Sequence, residues 1–291
     1  MPELPEVETT VRSLKSKVLE RTFDDVWSDW EKLVKKHSDF KQFKKEIKNK
    51  KINKIWRRAK NVIFDLSGGY SLLVHQKMTG HLLVGKWKLE NGVWKPTGNG
   101  PLNDPYNRFL HLIFFFDNGK MMALSDARKF AKVELWKTDD LLNSKEFDKL
   151  GPEPLETNFS LKKFKDILNG KRGEIKQVLM DQGVIAGIGN IYASEILWWS
   201  KIHPEKNVAK LNGKELRLLY QNIKKVLALA VKLGGESFSD YRKPDGSKGN
   251  FDAERKAYKR EGQKCSRCGT KIKRIKVGQR SAFFCPHCQK L

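Results

Sequence analysis

Apolar residues recur at every third or fourth position at the start of the chain and again in its second half. At the start, this spacing predicts a helix over residues 3–19, with Val7, Val11, Leu14 and Val18 on its packed side. Later helices are predicted over residues 160–169, 172–181, 190–200 and 213–233. A packed helix at the very start would fix the position of the amino-terminal group.

From about residue 22 to 136 the pattern changes to short apolar runs separated by turn sequences such as Asp117-Asn118-Gly119. The runs predicted as strands are 61–66, 71–75, 110–116, 121–125 and 131–136. Residues 85–106 are polar and rich in Gly, Asn and Pro, which predicts a long hairpin or loop. This half of the chain therefore indicates a mostly antiparallel β-sandwich or barrel.

Two further polar stretches divide the chain. Residues 137–150 indicate a linker, and Leu150-Gly151-Pro152-Glu153-Pro154 marks a boundary after it. Residues 234–254 predict a loop, and loops of this length within a compact domain are often functional.

The charge of the chain points to a polyanionic partner. The 291 residues include 58 Lys and Arg against 34 Asp and Glu, a net charge of +24 spread along the whole length. Nucleic acid is the first candidate, and a generally basic proteome is the alternative. We find no apolar run of membrane-spanning length and no signal-peptide core, so we expect a soluble cytoplasmic protein.

The first residues carry candidate chemistry. Removal of Met1 would expose Pro2 as a secondary amine, and an α-amino group titrates near pH ~8. Such an amine can form a Schiff base with an electrophilic carbon, with Glu3 as a neighbouring acid and Glu6 one helical turn away. The alternative is that Pro2 and the two acids only suit the positive end of a helix, and these residues alone leave both open.

All four cysteines lie near the end of the chain, as Cys265-x2-Cys268-x16-Cys285-x2-Cys288. Two such pairs in a cytosolic protein predict a tetrahedral zinc site with four thiolate ligands. Because this ligand set leaves no open position, the one zinc ion is expected to be structural. His287 is expected to be a surface residue.

Three motifs in the strand-rich half suit an enzyme that bends DNA. Lys60 lies at the entry to a strand, Met78 lies in a turn, and Arg128 and Phe130 share one face if extended. An apolar side chain with an Arg beside it can fill the gap left by an extruded nucleotide. The alternative is that Met78 and Phe130 are core residues.

A Gly-rich turn precedes the predicted helix at residue 190. Gly187 and Gly189 permit a tight turn, and Asn190 would then lie at a helix N-terminus that favours a phosphate. An ordinary corner between two helices, with Asn190 as the N-cap, explains the same sequence.

These features together resemble the formamidopyrimidine-DNA glycosylase family, which also contains endonuclease VIII. The resemblance covers essentially the whole chain. It rests on the segments Pro2–Thr9, Arg58-Ala59-Lys60, His75-x2-Met78-Thr79-Gly80, Asp126-x-Arg128-x-Phe130, Leu150–Leu155, Gly187–Ala193, Gly278–Ser281 and the four cysteines.

The resemblance implies an α+β multidomain fold. It has an N-terminal helix with an antiparallel β-sandwich as the catalytic domain over 1–136, then a linker over 137–150. A helix-two-turn-helix domain over 151–254 carries a loop at 235–254 that covers the damaged base. A zinc-finger hairpin over 255–291 ends the chain.

The resemblance also implies a bifunctional DNA glycosylase and AP lyase of base excision repair, acting on oxidised purines in duplex DNA. Pro2 is then the nucleophile and Glu3 the acid, and Lys60 and Arg280 assist β- and δ-elimination. Met78, Arg128 and Phe130 match the residues that fill the gap. Phosphate contacts match Lys60, His75, Lys171, Lys176, Asn190 and Arg280. We expect a monomer in the bacterial cytoplasm, associated with the nucleoid through DNA and not with a membrane.

The chain departs from the family pattern in a few places. Phe109 stands where the family often has a histidine, and Ala127 and Lys129 stand where it usually has Pro and Arg. Residues 85–106 form a longer segment than usual. Two alternatives stay open: an endonuclease VIII-like enzyme for oxidised pyrimidines, and a non-catalytic protein that binds damaged DNA.

Overall fold

The computed structural model describes residues 1–37, 39–238 and 240–291. The chain divides into two compact units. The first contains residues 1–148 and 233–252, and the second contains residues 149–232 and 253–291.

The first unit contains helices and most of the strands. Its elements are α1 (Leu4–Val18), β1 (Phe23–Ser28), β2 (Val34–Lys35), α2 (Phe40–Ile47), β3 (Ile52–Arg58), β4 (Asn61–Leu66), β5 (Tyr70–His75), β6 (His81–Gly85), β7 (Trp87–Glu90), β8 (Val93–Pro96), β9 (Leu110–Phe116), β10 (Met121–Ser125), β11 (Lys132–Lys137), α3 (Thr138–Leu142) and α4 (Lys145–Asp148). The strands predicted at 61–66, 110–116 and 121–125 have the predicted bounds.

Two sheets form the sandwich of this unit. One has the order β1-β9-β10-β6 and the other β2-β11-β5-β4-β3, and all pairs except β2 with β11 are antiparallel. Apolar residues from both sheets share one core, which also takes in Val7, Val11, Leu14 and Val18 of α1. The predicted sandwich and the predicted packed side of the first helix are both confirmed. Burial of α1 against this core holds the start of the chain in place.

Helix α2 was not predicted. It begins after Asp39, whose side chain accepts a hydrogen bond from the Gln42 N–H at 2.7 Å. Phe43 and Ile47 are buried, while Lys45 between them is exposed. The helical spacing of apolar residues spans only eight residues here. Because the sequence on both sides has the pattern of strands, this spacing alone does not predict a helix.

Within the predicted linker at 137–150, two short helices form, α3 and α4. Leu141 and Phe147 are buried against Ile63 and Leu73 on the outer face of the second sheet. Two apolar residues in a polar stretch were enough to fold it, because the sheet offers them an apolar surface.

The polar stretch at 85–106 contains the predicted hairpin. β7 pairs with β8, and Trp87 and Trp94 belong to an apolar cluster with the first sheet. Two single 3-10 turns follow, Pro101–Asn103 and Pro105–Asn107.

Residues 233–252 belong to the first unit, although they follow the helices of the second in the chain. Gly235 lies against Glu6 of α1, where a Cβ atom would come within 2.9 Å of the Glu6 side chain. The N–H of Phe251 donates to Gly235 O at 3.1 Å and closes the segment at its base. Within the predicted covering loop, Ser239 lies outside the described residues.

The second unit is built from helices and one hairpin. Its elements are α5 (Leu161–Leu168), α6 (Ile175–Met180), α7 (Asn190–Ser200), α8 (Gly213–Lys232), β12 (Lys273–Val277) and β13 (Arg280–Phe284). α6 begins later than the predicted residue 172, because Gly173 has a φ of 98° and Glu174 pairs with Asn207. No helix in the described parts of the chain is long and apolar enough to cross a membrane.

A buried carboxylate joins α7 to the segment before the zinc-binding cysteines. Glu195 is fully buried and accepts the backbone N–H groups of Lys256, Ala257 and Tyr258 at 2.7–2.9 Å. Burial raises the pKa of Glu195, and the three donated hydrogen bonds oppose that rise.

We expect Glu195→Gln to lower the free energy of unfolding of the zinc-loaded protein by about 1–3 kcal/mol, since one buried N–H loses its acceptor and faces an amide NH2. Denaturant unfolding measures this difference. Glu156→Gln, at an exposed position, is the control. Equal stability of the two variants would contradict the structural role of the carboxylate.

Candidate active site and DNA-binding surface

The start of α1 places the two predicted catalytic residues side by side. Pro2 and Glu3 are buried, and Glu3 is only 2% exposed. The Glu3 N–H donates to Glu6 Oε2 at 2.7 Å. The other carboxylate oxygen, Glu6 Oε1, accepts the Glu236 N–H at 2.8 Å. One carboxylate therefore orders both the predicted acid and the start of the predicted covering loop.

Lys60 lies in a two-residue turn between β3 and β4, where Arg58 pairs with Asn61. Ala59 adopts a φ of 51° in this turn. Arg57 supports the turn, because it donates to Ala59 O and to Glu8 Oε2, both at 3.0 Å. Since Glu8 belongs to α1, this ion pair ties the turn of Lys60 to the helix of the predicted nucleophile.

The Glu8 carboxylate stays charged in this position. Burial acts to raise the pKa of Glu8, but hydrogen bonds and charges from Arg12 and Arg57 outweigh it and hold the pKa below its ordinary value. Glu8 and Arg57 were not singled out from the sequence, because a helix face and a strand end give no sign that they pair.

His75 ends β5 as a neutral donor. Burial, together with the positive charges of Lys77, Lys60 and Lys132, lowers the pKa of His75 to about 3. The Lys77 N–H donates to His75 Nδ1 at 3.0 Å, so the ring proton lies on Nε2. A neutral imidazole with a protonated Nε2 can donate one hydrogen bond to a phosphate oxygen.

Asp126 brings together the two loops that carry the predicted wedge residues. Its buried carboxylate accepts from the Thr79 hydroxyl in the Met78 turn, from the Arg128 N–H at 3.3 Å and from the Ala131 N–H at 2.7 Å. The Arg128 guanidinium lies 4.6 Å from the centre of the Phe130 ring. Phe130 is 52% exposed, so it is a surface aromatic and not a core residue.

In the second unit, Asn190 is the first residue of α7 and Gly189 is its N-cap. Gln182 braces the Gly-rich turn before it, donating to Ile188 O at 2.8 Å and accepting from the Gly187 N–H at 2.9 Å. Among the described residues, Asn190 Oδ1 has no hydrogen-bond partner. The sequence does not indicate this role of Gln182, since a Gln before a glycine run has no distinctive spacing.

A cleft of about 360 Å³ opens at the N-terminus of α7. Its walls are formed by Asn190, Tyr258, Lys259, Glu261, Arg274, Ser281 and Phe283. A helix N-terminus with two cations and an amide suits an anion, so this cleft is a candidate phosphate site.

The other predicted phosphate contacts of this unit differ in exposure. Lys171 is exposed. Lys176 is 1% exposed, and its ammonium donates to Ser281 O at 2.6 Å and to Ser194 Oγ at 3.1 Å. The phosphate contact of Lys176 stays a prediction, one that this burial does not favour.

Arg280 lies at the tip of the β12–β13 hairpin, where it pairs with Val277 and is exposed. Gly278 adopts a φ of 55° in the turn, and a Cβ there would come within 2.9 Å of Gln177 Oε1. The tip is thus braced by α6, through Lys176 and Gln177.

The four cysteines lie together as predicted. Their Sγ atoms are all within 4.8 Å of one another, and those of Cys268 and Cys285 are 3.5 Å apart. Four thiolates about 2.3 Å from a zinc ion would be spaced by just under 4 Å, so the group fits tetrahedral zinc. The chain binds one structural zinc ion, which holds the base of the hairpin that carries Arg280. His287 is exposed.

Family models cover most of the chain. The formamidopyrimidine-DNA glycosylase N-terminal domain matches residues 1–133, and the H2TH domain of the same enzymes matches residues 150–242. The zinc finger found in FPG and IleRS matches residues 262–291.

Full-length relatives agree with these matches. The chain is 39% identical to a formamidopyrimidine-DNA glycosylase of Ligilactobacillus salivarius, over 99% of both chains, and 37% identical to one of Lactococcus lactis, over all of both. Among solved structures, it is similar to a Lactococcus lactis FPG mutant bound to Fapy-dG containing DNA (36% identity, TM-score 0.86, all of both chains). MutM in complex with carbocyclic 8-oxo-G containing DNA is comparably similar (36% identity, TM-score 0.85, all of both chains). The chain belongs to the formamidopyrimidine-DNA glycosylase family.

Proposed function

We propose that this chain removes oxidised purines, such as 8-oxoguanine and formamidopyrimidines, from duplex DNA and then cleaves the abasic strand. The observation that carries the proposal is the start of α1, where Pro2 and Glu3 are adjacent and Glu6 holds the Glu3 backbone. The solved relatives bound to Fapy-dG and 8-oxo-G DNA support the substrate class.

The chemistry follows from a secondary amine. After removal of Met1, the Pro2 nitrogen attacks C1′ of the extruded nucleotide, and the bond from C1′ to the damaged base breaks. Glu3 gives a proton to the sugar ring oxygen, the ring opens and a C1′ iminium remains. The iminium is cationic, so it makes the 2′ proton acidic and serves as an electron sink.

Strand cleavage uses this acidity. Loss of the 2′ proton expels the 3′ phosphate by β-elimination, and a second elimination expels the 5′ phosphate. Lys60 and Arg280 assist these two departures, because a cation stabilises the charge that develops on a leaving phosphate.

Binding is divided between a wedge and phosphate contacts. Met78, Arg128 and Phe130 enter the duplex and fill the gap left by the extruded nucleotide. His75, Lys171 and Asn190 contact phosphates, and Lys176 acts chiefly by holding the hairpin of Arg280. The loop at 235–254 covers the damaged base. The protein acts as a monomer in the cytoplasm and reaches the nucleoid through DNA.

One neighbour favours a second candidate substrate. A solved complex of the wild-type Lactococcus lactis protein contains DNA with an oxidised pyrimidine. An oxidised pyrimidine is therefore the second substrate to test, as expected for an enzyme similar to endonuclease VIII.

The first experiment is borohydride trapping on a duplex with one 8-oxoguanine, using protein whose Met1 is verified as removed. We expect a covalent adduct at Pro2, because borohydride reduces the iminium. Protein that retains Met1 should give no adduct, and Pro2→Gly should keep part of the trapping through its primary amine. An adduct only with an oxidised pyrimidine would indicate an enzyme similar to endonuclease VIII. Tight binding with no adduct on either duplex would make it a damage-binding protein.

Asp126→Asn should slow the excision of 8-oxoguanine by about 10- to 100-fold, because an amide keeps only one of the two acceptor oxygens that hold the wedge loops and small misplacements are costly. Single-turnover kinetics measure this rate. Asp117→Asn is the matched control, since Asp117 also accepts a backbone N–H, from Thr22 at 3.2 Å, in an exposed turn. Excision by Asp126→Asn at the control rate would refute the role.

His75→Gln should become relatively more stable as the pH falls below 6.5. With a folded-state pKa of about 3, the wild type takes up the His75 proton only on unfolding, so its stability is lost as the pH falls through this range. The difference in unfolding free energy between variant and wild type should change by up to about 1.4 kcal/mol per pH unit.

Denaturant unfolding at pH 7.5 and 5.5 checks this, with His287→Gln at an exposed position as the control. A difference between the His75 variant and wild type that does not depend on pH would contradict the neutral imidazole.

A further inference from the structure

The segment that follows the β7–β8 hairpin lies against the second half of the predicted covering loop. A Cβ atom on Gly246 would come within 2.7 Å of the backbone of Pro101 and Leu102. Gly246 has a φ of 86°, so it suits both the turn and this close approach. The Val84 N–H, on the edge strand β6, donates to Pro244 O at 2.7 Å. Backbone contacts at Pro244 and Gly246 therefore hold this part of the loop, in addition to the side-chain contacts below.

An ion pair joins the same two segments. Arg242 is 1% exposed, and its Nε lies 3.0 Å from Asp104 Oδ2. Its guanidinium also lies 4.6 Å from the centre of the Tyr106 ring and donates to Tyr241 O at 2.8 Å. A fully buried arginine with a carboxylate partner is a fixed part of the fold and not a surface charge.

Asp104 is itself held in place. Its Oδ1 accepts the Tyr106 N–H at 3.0 Å, so the carboxylate cannot turn freely. Burial acts to raise the pKa of Asp104, but the hydrogen bond from Arg242 and that from the Tyr106 N–H outweigh it and lower the pKa. The Asp104 carboxylate therefore stays charged at neutral pH.

A second link comes from Asn107, which is buried. Its amide donates to Pro101 O at 2.9 Å and to Gly246 O at 3.2 Å, and its Oδ1 lies 2.9 Å from His81 Nε2. The chain from β6 through Asn107 to Gly246 thus consists only of buried hydrogen-bonding groups, which favours one arrangement.

We propose that residues 101–107 form a clamp that fixes residues 241–247 of the covering loop, with Asp104 and Arg242 as positioning residues for recognition of the damaged base. The proposal rests on the proposed function. Glu6 holds the other end of the loop through Glu236. With both ends fixed to one unit, the part between them is presented to the base with less loss of conformational entropy on binding.

The test compares two reactions of the same enzyme. Excision of 8-oxoguanine needs the loop over the base, whereas cleavage of a preformed abasic site has no base to cover. Asp104→Asn should slow single-turnover excision by about tenfold or more, because the displaced loop no longer fits the base. The lyase rate on the abasic duplex should stay at the wild-type value.

Two further variants sharpen the result. Asp104→Asn with Arg242→Met removes the pair without leaving a buried unpaired charge, and it should stay slow in excision. Asp25→Asn is the matched control, because Asp25 also accepts a backbone N–H, from Val26 at 2.8 Å, and pairs with a cation, Lys44, at 2.8 Å. It should excise at the wild-type rate.

Excision at the wild-type rate by Asp104→Asn or by the double variant would overturn the clamp. An equal fall in excision and lyase rates would also overturn it, because general damage to the unit would then explain the loss. A wild type with neither activity would instead overturn the proposed function.

Discussion

The chemistry proposed for the first unit depends on the hydrogen bonds that the Glu6 carboxylate accepts. This carboxylate is buried and bonded to two backbone N–H groups, that of Glu3 and that of Glu236. The same residue therefore orders the proposed acid and the start of the covering loop. A buried carboxylate cannot lose these donors without a large desolvation cost, so the two segments hold each other in place. These hydrogen bonds give the start of α1, and with it the proposed nucleophile Pro2, a defined position.

Similar hydrogen bonding from one polar side chain supports two of the turns that carry proposed DNA-binding residues. Asp126 holds the loops of Met78 and Arg128, and Gln182 holds the turn before Asn190. In each case a polar side chain with several acceptors or donors replaces the regular ladder that a turn lacks. Rigid support of this kind is what allows exposed groups on loops to act with fixed geometry.

The sequence alone predicts the elements with strong periodicity and the residues with a distinctive motif. The strands at 61–66 and 110–116, the helix at 190–200 and the four cysteines were all visible as local patterns. Supports such as Asp126 and Gln182 were not assigned, because their role depends on contacts that the order of residues does not reveal. For Lys176 the sequence shows a charged residue but not its burial. That burial results from the packing of α6, α7 and the β12–β13 hairpin around its side chain.

The net charge of +24 does not explain how the chain would distinguish a damaged base from an undamaged one. Lysines and arginines attract any duplex, damaged or not, and this attraction carries no information about the base. Discrimination must come from groups that meet the extruded base at a fixed distance. In the proposed function those groups lie on residues 235–254, a segment held by Glu6 at one end and by Asp104 and Asn107 at the other. On this proposal, selectivity depends on a few buried contacts, whereas the many positive charges provide affinity.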